Sequence, residues 1–103
     1  MEGKTLIGTA TEEQIAHWKA LHKDIYRIIV ADSICYLKKP DRTTMKAVAS
    51  LGTNDPIKAN EILLENCWLG GDTSIKTDDE KFFGVSQKLA ELIEIKEAEL
   101  KKL

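Results

Sequence analysis

Two runs of β-branched and aromatic residues, Ile25-Tyr26-Arg27-Ile28-Ile29-Val30 and Ile34-Cys35-Tyr36-Leu37, flank Ala31-Asp32-Ser33 and are followed by Pro40. Such side chains lose rotamer freedom in a helix and pack well on a pleated surface, so the pair predicts a β-hairpin over residues 24 to 37. Residues 15, 18, 22, 25, 29, 32 and 36 also keep a three-four spacing, and one long helix is the rival. That helix would carry Asp32 on its apolar stripe and a dense β-branched run, and both features favour the hairpin. Pro40 has no amide to give a sheet ladder and biases Lys39 away from helix. The second strand therefore ends there, and Asp41 is free to cap the next helix.

Helix signals surround the hairpin. Thr11-Glu12-Glu13-Gln14 fits a capping box, and Ile15, Trp18, Leu21 and His22 then fall on one face that is expected to pack inward. Met45, Val48, Ala49 and Leu51 mark a short helix stopped by Gly52. Asn54-Asp55-Pro56 sets a cap residue before a proline at the first helical position, the clearest helix start in the chain. On that third helix Lys58, Glu61 and Glu65 share a narrow face, while Ile57, Ala59, Ile62, Leu63, Leu64, Cys67 and Trp68 cover the remainder, so it reads as the central helix. Gly70-Gly71-Asp72 reads as its stop. Thr77-Asp78-Asp79-Glu80 reads as a second capping box opening a last helix that runs nearly to Leu103, with a seam of Phe82, Val85, Leu89, Leu92 and Ile93. The reading is a single α+β domain over residues 1–103, in the order α-β-β-α-α-α. Residues 1–10 form a frayed arm with room for a short strand around Leu6 and Ile7.

Size and charge narrow the function classes. A chain of 103 residues makes one core. Fifteen basic against seventeen acidic residues give a net charge of −2, which supplies no field to hold a polyanion, so nucleic acid is not an expected partner. No apolar run has the length of a signal peptide or a bilayer span, and the expected location is the cytoplasm. Cys35 and Cys67 lie in apolar contexts and read as two buried thiols in a reducing compartment.

No constellation for catalysis stands out. His17 and His22 are five residues apart, roughly 140° around a helix, and Glu13 with His17 lacks a third ligand, so no metal is expected. Cys67 lies near a helix C-terminus, where the dipole opposes a thiolate, and Cys35 lies in a strand. Asp78, Asp79 and Glu80 are explained by helix capping and lack the alternation and glycine of a calcium loop. Gly70-Gly71-Asp72 lacks the strand and the Gly-Lys-Ser/Thr of a phosphate loop. These readings point away from an enzyme and from any cofactor or small-molecule substrate. Lys38, Lys39 and Arg42 form a basic patch around Pro40 that suits either a solvated hairpin end or an acidic partner. Phe82 and Phe83 point about 100° apart, so one of them can leave the seam and meet a partner. The candidate partner-binding residues are Phe82, Phe83, Val85, Leu89 and Leu92 on the last helix, with Lys38, Lys39 and Arg42.

At Lys38-Lys39-Pro40-Asp41-Arg42, at Asn54-Asp55-Pro56 and through Glu61-Ile62-Leu63-Leu64-Glu65-Asn66-Cys67-Trp68-Leu69-Gly70-Gly71-Asp72, the chain resembles the tail assembly chaperones of tailed phages and prophages. The shared layout, over residues 15 to 100, is a hairpin ending in a basic residue and proline, a helical pair closing at a Gly-Asp element, and a final helix opened by acids. The resemblance implies a non-enzymatic protein in the bacterial host cytoplasm that holds a long helical tape-measure protein soluble until tail tube subunits polymerise around it. It carries over no catalytic residue. The alternatives are a head-tail connector or adaptor, and a small homo-oligomeric regulatory domain.

Overall fold

A computed structural model describes residues 5–51, 54–93 and 97–103. The hairpin is present. Strand β1 (Ile25–Val30) runs antiparallel to β2 (Ser33–Lys38), with Ile25 opposite Lys38 and Val30 opposite Ser33. The two-residue turn Ala31-Asp32 holds Ala31 at φ 55°, the left-handed conformation that lets a tight hairpin follow the twist of its strands. The long-helix rival fails because helix α1 (Glu12–His22) stops just short of β1, with Lys23 at φ 69°.

The capping box of α1 forms as read: the Gln14 amide donates to Thr11 Oγ1 at 3.1 Å, and the Thr11 amide donates to Gln14 Oε1 at 2.9 Å. Its apolar face packs only in part: Ile15, Trp18 and His22 are half-buried, whereas Leu21 is 63% exposed. The helix lies on the outer face of the sheet and touches it through Trp18, whose ring is 5.4 Å from that of Tyr36.

A third strand occupies the place read as a helix stop. Helix α3 (Pro56–Cys67) ends at Cys67, and Trp68–Gly71 is strand β3, antiparallel to β2 in the order β1-β2-β3. Cys35 faces Gly71 and Tyr36 faces Gly70, whereas Leu37 faces Trp68, so Leu69 is an extra residue bulging out of the ladder. Pairing the second edge of β2 satisfies backbone groups that a helix extension would have left buried and unbonded, and the glycines let the two backbones meet. A Cβ at Gly70 would press on the Trp18 indole at 3.0 Å. Beyond β3, the Ile7 amide donates to the Asp32 carbonyl at 2.8 Å and Ile7 accepts from the Ile34 amide at 3.0 Å, so the arm adds a single parallel bridge. Trp68 is half-buried, with the Lys76 ammonium 4.5 Å above its ring. Trp68→Ala should therefore cost about 2 kcal/mol, below the roughly 3 to 5 of a fully buried aromatic. Urea denaturation checks this, and a loss under about 0.5 kcal/mol would mean that the ring contributes no packing.

Helices cover the other face of the sheet. Helix α2 (Arg42–Leu51) is opened by Asp41, which accepts from the Thr44 amide at 2.8 Å; its expected stop, Gly52, lies outside the described residues. Asp55 caps α3 by accepting from the Lys58 amide at 3.0 Å, with Pro56 in the first turn as the sequence indicates. A one-turn helix, α4 (Ser74–Thr77), precedes α5 (Asp79–Leu89). The cap of α5 is Asp78, accepting from the Lys81 amide at 3.0 Å; Thr77 instead closes α4, so the second capping box shifts by one residue and loses its reciprocal bond. The last helix is also shorter than expected. After Leu89 the chain makes a 3₁₀ turn, Ala90–Leu92, and residues 97–103 have no regular structure, with Leu100 and Leu103 fully exposed. Without an apolar surface to lie on, so short a segment has little to hold it helical. The core joins Cys35 and Leu37 of β2 to Leu63, Leu64 and Cys67 of α3, Ile75 of α4, and Phe82, Val85, Leu89 and Leu92. The fold is α+β, with a third strand and a one-turn helix added to the order read from sequence. Among the described residues no helix is long and apolar enough to cross a membrane.

Candidate functional site

Two arrangements gather polar or apolar groups in one place. The first is a cluster at the hairpin tip. Ser33, at the start of β2, is fully buried and donates its hydroxyl to Asp72, the residue after β3. Ser74 Oγ donates to the same carboxylate at 2.8 Å, and the Ser74 amide donates to its second oxygen at 3.0 Å. Lys81 on α5 completes the cluster, donating to Ser33 Oγ at 2.8 Å and to Ser74 Oγ at 3.1 Å; its ammonium is also 3.3 Å from Asp32 and 3.7 Å from Asp72.

A serine within reach of a lysine has the outline of a nucleophile and its base. A base lysine, however, sits in an apolar pocket or beside another cation, whereas Lys81 sits between two carboxylates, and Ser33 has no exposed surface for a substrate to reach. The cluster is a polar staple tying the hairpin tip, the end of β3 and α5 together. Hydrogen bonds from Ser33, then from the backbone and side chain of Ser74, hold the Asp72 carboxyl down to about 2. A hydrogen bond from Lys81 lowers that of Asp32. A carboxyl depressed on folding contributes stability that is present above its unfolded pKa, about 3.9, and lost as pH falls through the folded value. The stability advantage of the wild type over Asp72→Asn should thus be constant at neutral pH and shrink as pH drops from about 4 toward 2. Urea midpoints across that range measure it, and a difference independent of pH would remove Asp72 from the staple.

The second arrangement is a cleft of about 320 Å³ beside β1, lined by Tyr26, Arg27, Ile28, Ile29, Lys88, Glu91 and Leu92. Strand β1 forms one wall. It is an edge strand, since β2 alone pairs with it among the described residues. The direction of its free groups follows from Ile34, whose amide donates to Ile7 and whose carbonyl accepts from the Asp72 amide at 3.0 Å, both on the far side of β2. Directly opposed residues of an antiparallel pair either bond each other or both point away, so Ile29, opposite Ile34, turns its amide and carbonyl outward. With a period of two, Arg27 and Ile25 do the same. Ile29 is 50% exposed. Glu91 and Lys88 form an ion pair at 3.6 Å on the opposite wall, and Leu92 supplies apolar floor.

The residues expected to bind a partner are not gathered here. Phe82, Val85, Leu89 and Leu92 are at most 8% exposed, so the seam read as a client surface is the core. The reason is that the inner face of β1 and the apolar face of α3 both need a cover, and α5 packs on both. Phe83 alone of that set stays on the surface, at 48% exposure, its ring 5.5 Å from that of Phe82. Lys38 and Lys39 are half-exposed at the far end of β2, and Arg42 is exposed at the start of α2. Lys39 pairs with Asp24 at 3.3 Å, and Asp41 lies in the same patch, its carboxyl lowered first by the Thr44 amide and further by Lys38, so nearby acids balance much of the basic charge. Tyr26, Ile28, Ile29, Lys88 and Glu91 escaped the sequence reading because nothing local tells which strand of a hairpin stays at the edge. Ser33, Asp72 and Lys81 escaped it because 39 and 48 residues separate the bonded pairs.

Cys35 and Cys67 are free and fully buried, and desolvation pushes both thiols up to about 11, far from a reactive thiolate. No three His, Cys, Asp or Glu side chains converge as a metal site among the described residues. No protein-family model matches the chain, and no curated protein or solved structure matches it.

Proposed function

We propose that this chain is a non-enzymatic assembly factor of the tail assembly chaperone kind, which keeps a helical tape-measure protein or a tail tube subunit soluble before polymerisation. The observation that supports the reading is the cleft beside β1, where half-buried Tyr26 and Ile28 and half-exposed Ile29 offer apolar surface that water reaches, beside a rim ion-paired through Lys88 and Glu91. A holdase needs apolar surface that water can reach in the free state and a client can cover. The client surface lies here and not on the Phe82–Leu92 seam, which is committed to the core.

Co-expression with a tape-measure or tail tube protein from the same genome tests the reading. The client should stay soluble and co-purify with the wild type, and Ile29→Asp should lose it while remaining folded. A wild type that neither binds nor solubilises such a tail protein, and forms discrete rings instead, would favour a head-tail connector.

A further inference from the structure

We infer that the edge of β1, unpaired among the described residues, is the interface of a two-fold homodimer, in which β1 pairs antiparallel with β1 of a second copy and joins the two sheets into one of six strands. The edge lacks the defences that soluble proteins place on exposed strands. It is six residues long with no proline, carries a single charge, Arg27, and the one bulge in the sheet lies on β3.

Overlap and charge together select the register: within Ile25–Val30, axes at Arg27 and at Ile28 pair five residues each and any other axis at most three. The outward groups belong to Ile25, Arg27 and Ile29, and opposed residues of an antiparallel pair must lie on the same face, so a two-fold axis passes through a residue. An axis at Arg27 sets two guanidinium groups against each other. An axis at Ile28 instead sets Arg27 against the partner's Ile29, twice, and Tyr26 against the partner's Val30, with no like charges opposed within the strands. The remaining charges permit close approach: Asp24 falls opposite the partner's Asp32, but each is already ion-paired, with Lys39 and with Lys81 at 3.3 Å; the Lys88–Glu91 pair leaves each rim neutral, and the chain carries only −2 overall.

An axis normal to the sheet keeps both α5 helices on one face. The two clefts then face each other across Ile28 and merge into one trough, so a single copy holds half of the site. This last step rests on the reading of the cleft as the client surface; the dimer itself does not.

Light scattering after size exclusion, over a dilution series, should give twice the chain mass at high concentration and the chain mass at low concentration. Two charge variants test the register. Ile29→Lys sets two cations against the partner's Arg27 and should raise the dissociation constant about tenfold, whereas Ile29→Glu offers two carboxylates to the same guanidinium groups and should leave it unchanged or lower. Circular dichroism establishes that both variants are folded. A wild type that stays monomeric at its highest soluble concentration overturns the dimer, and equal weakening by both variants overturns the register. A monomer that still solubilises its client leaves the chaperone reading standing without the dimer; a dimer that solubilises nothing does the reverse.

Discussion

Leu92→Asp is expected to unfold the protein and not merely to disarm a binding surface. Leu92 is 3% exposed, closes the core against Val85 and Leu89 through the 3₁₀ turn that ends α5, and also forms the floor of the β1 cleft. Substitution removes the apolar contacts of a leucine and puts an ionisable group where no partner awaits it, a combined loss of about 4 kcal/mol or more. Domains of this size hold about 5 to 15 kcal/mol in total, so the loss takes a large share of the stability. Thermal denaturation followed by circular dichroism checks it. A variant with a native melting temperature would show that Leu92 is reached by water and would return the seam to the surface. Ile29→Lys, at an exposed position, is the folded control.

Gly71→Ala should lose about 3 kcal/mol or more for a different reason. Gly71 sits at φ 136°, which L side chains rarely adopt, and a Cβ there would stand 2.5 Å from both the Cys35 Cα and the Ile34 carbonyl oxygen. Both neighbours are backbone of the central strand, so neither can move without breaking the β2–β3 ladder. Gly84→Ala gives the contrast. Its Cβ would meet only a Val30 methyl at 2.9 Å, and a helical alanine gains about 1 kcal/mol over glycine, so the net change should be small. Equal effects of the two variants in urea unfolding would mean that β3 does not hold the glycine as described.

What was legible in the sequence was what local chemistry decides. The hairpin, the Thr11 capping box, and the Asp41 and Asp55 caps are each settled within a few residues by rotamer stiffness, hydroxyl or carboxylate reach, and the missing amide of a proline. The central role of α3 was legible too, since its apolar positions leave only a narrow polar face. Trp68–Gly71 was not. Its glycines look like a helix stop until a strand edge 34 to 36 residues earlier claims them, and that partner is invisible to a local window. The candidate site failed in the same way. An apolar seam on α5 has the same pattern whether it packs on its own core or on a client, and the Lys38-Lys39-Arg42 patch reads as basic until Asp24 and Asp41 are placed beside it. Which groups are left over is decided only when the sheet is assembled.

Strand β2 is walled on one side by β1 and on the other by β3 and Ile7, which lie end to end although they come from opposite parts of the chain. Its amides can therefore meet solvent only when several distant segments let go together, which for so small a domain approaches global unfolding. The outward amides of Arg27 and Ile29 need no such event. Deuterium would enter them within the dead time of a monomer's exchange experiment, while β2 keeps its protons for as long as the whole molecule stays folded. The same six-residue hairpin arms thus hold the slowest and the fastest backbone sites side by side, and the rate at Arg27 and Ile29 becomes a direct gauge of whether something is seated on that edge.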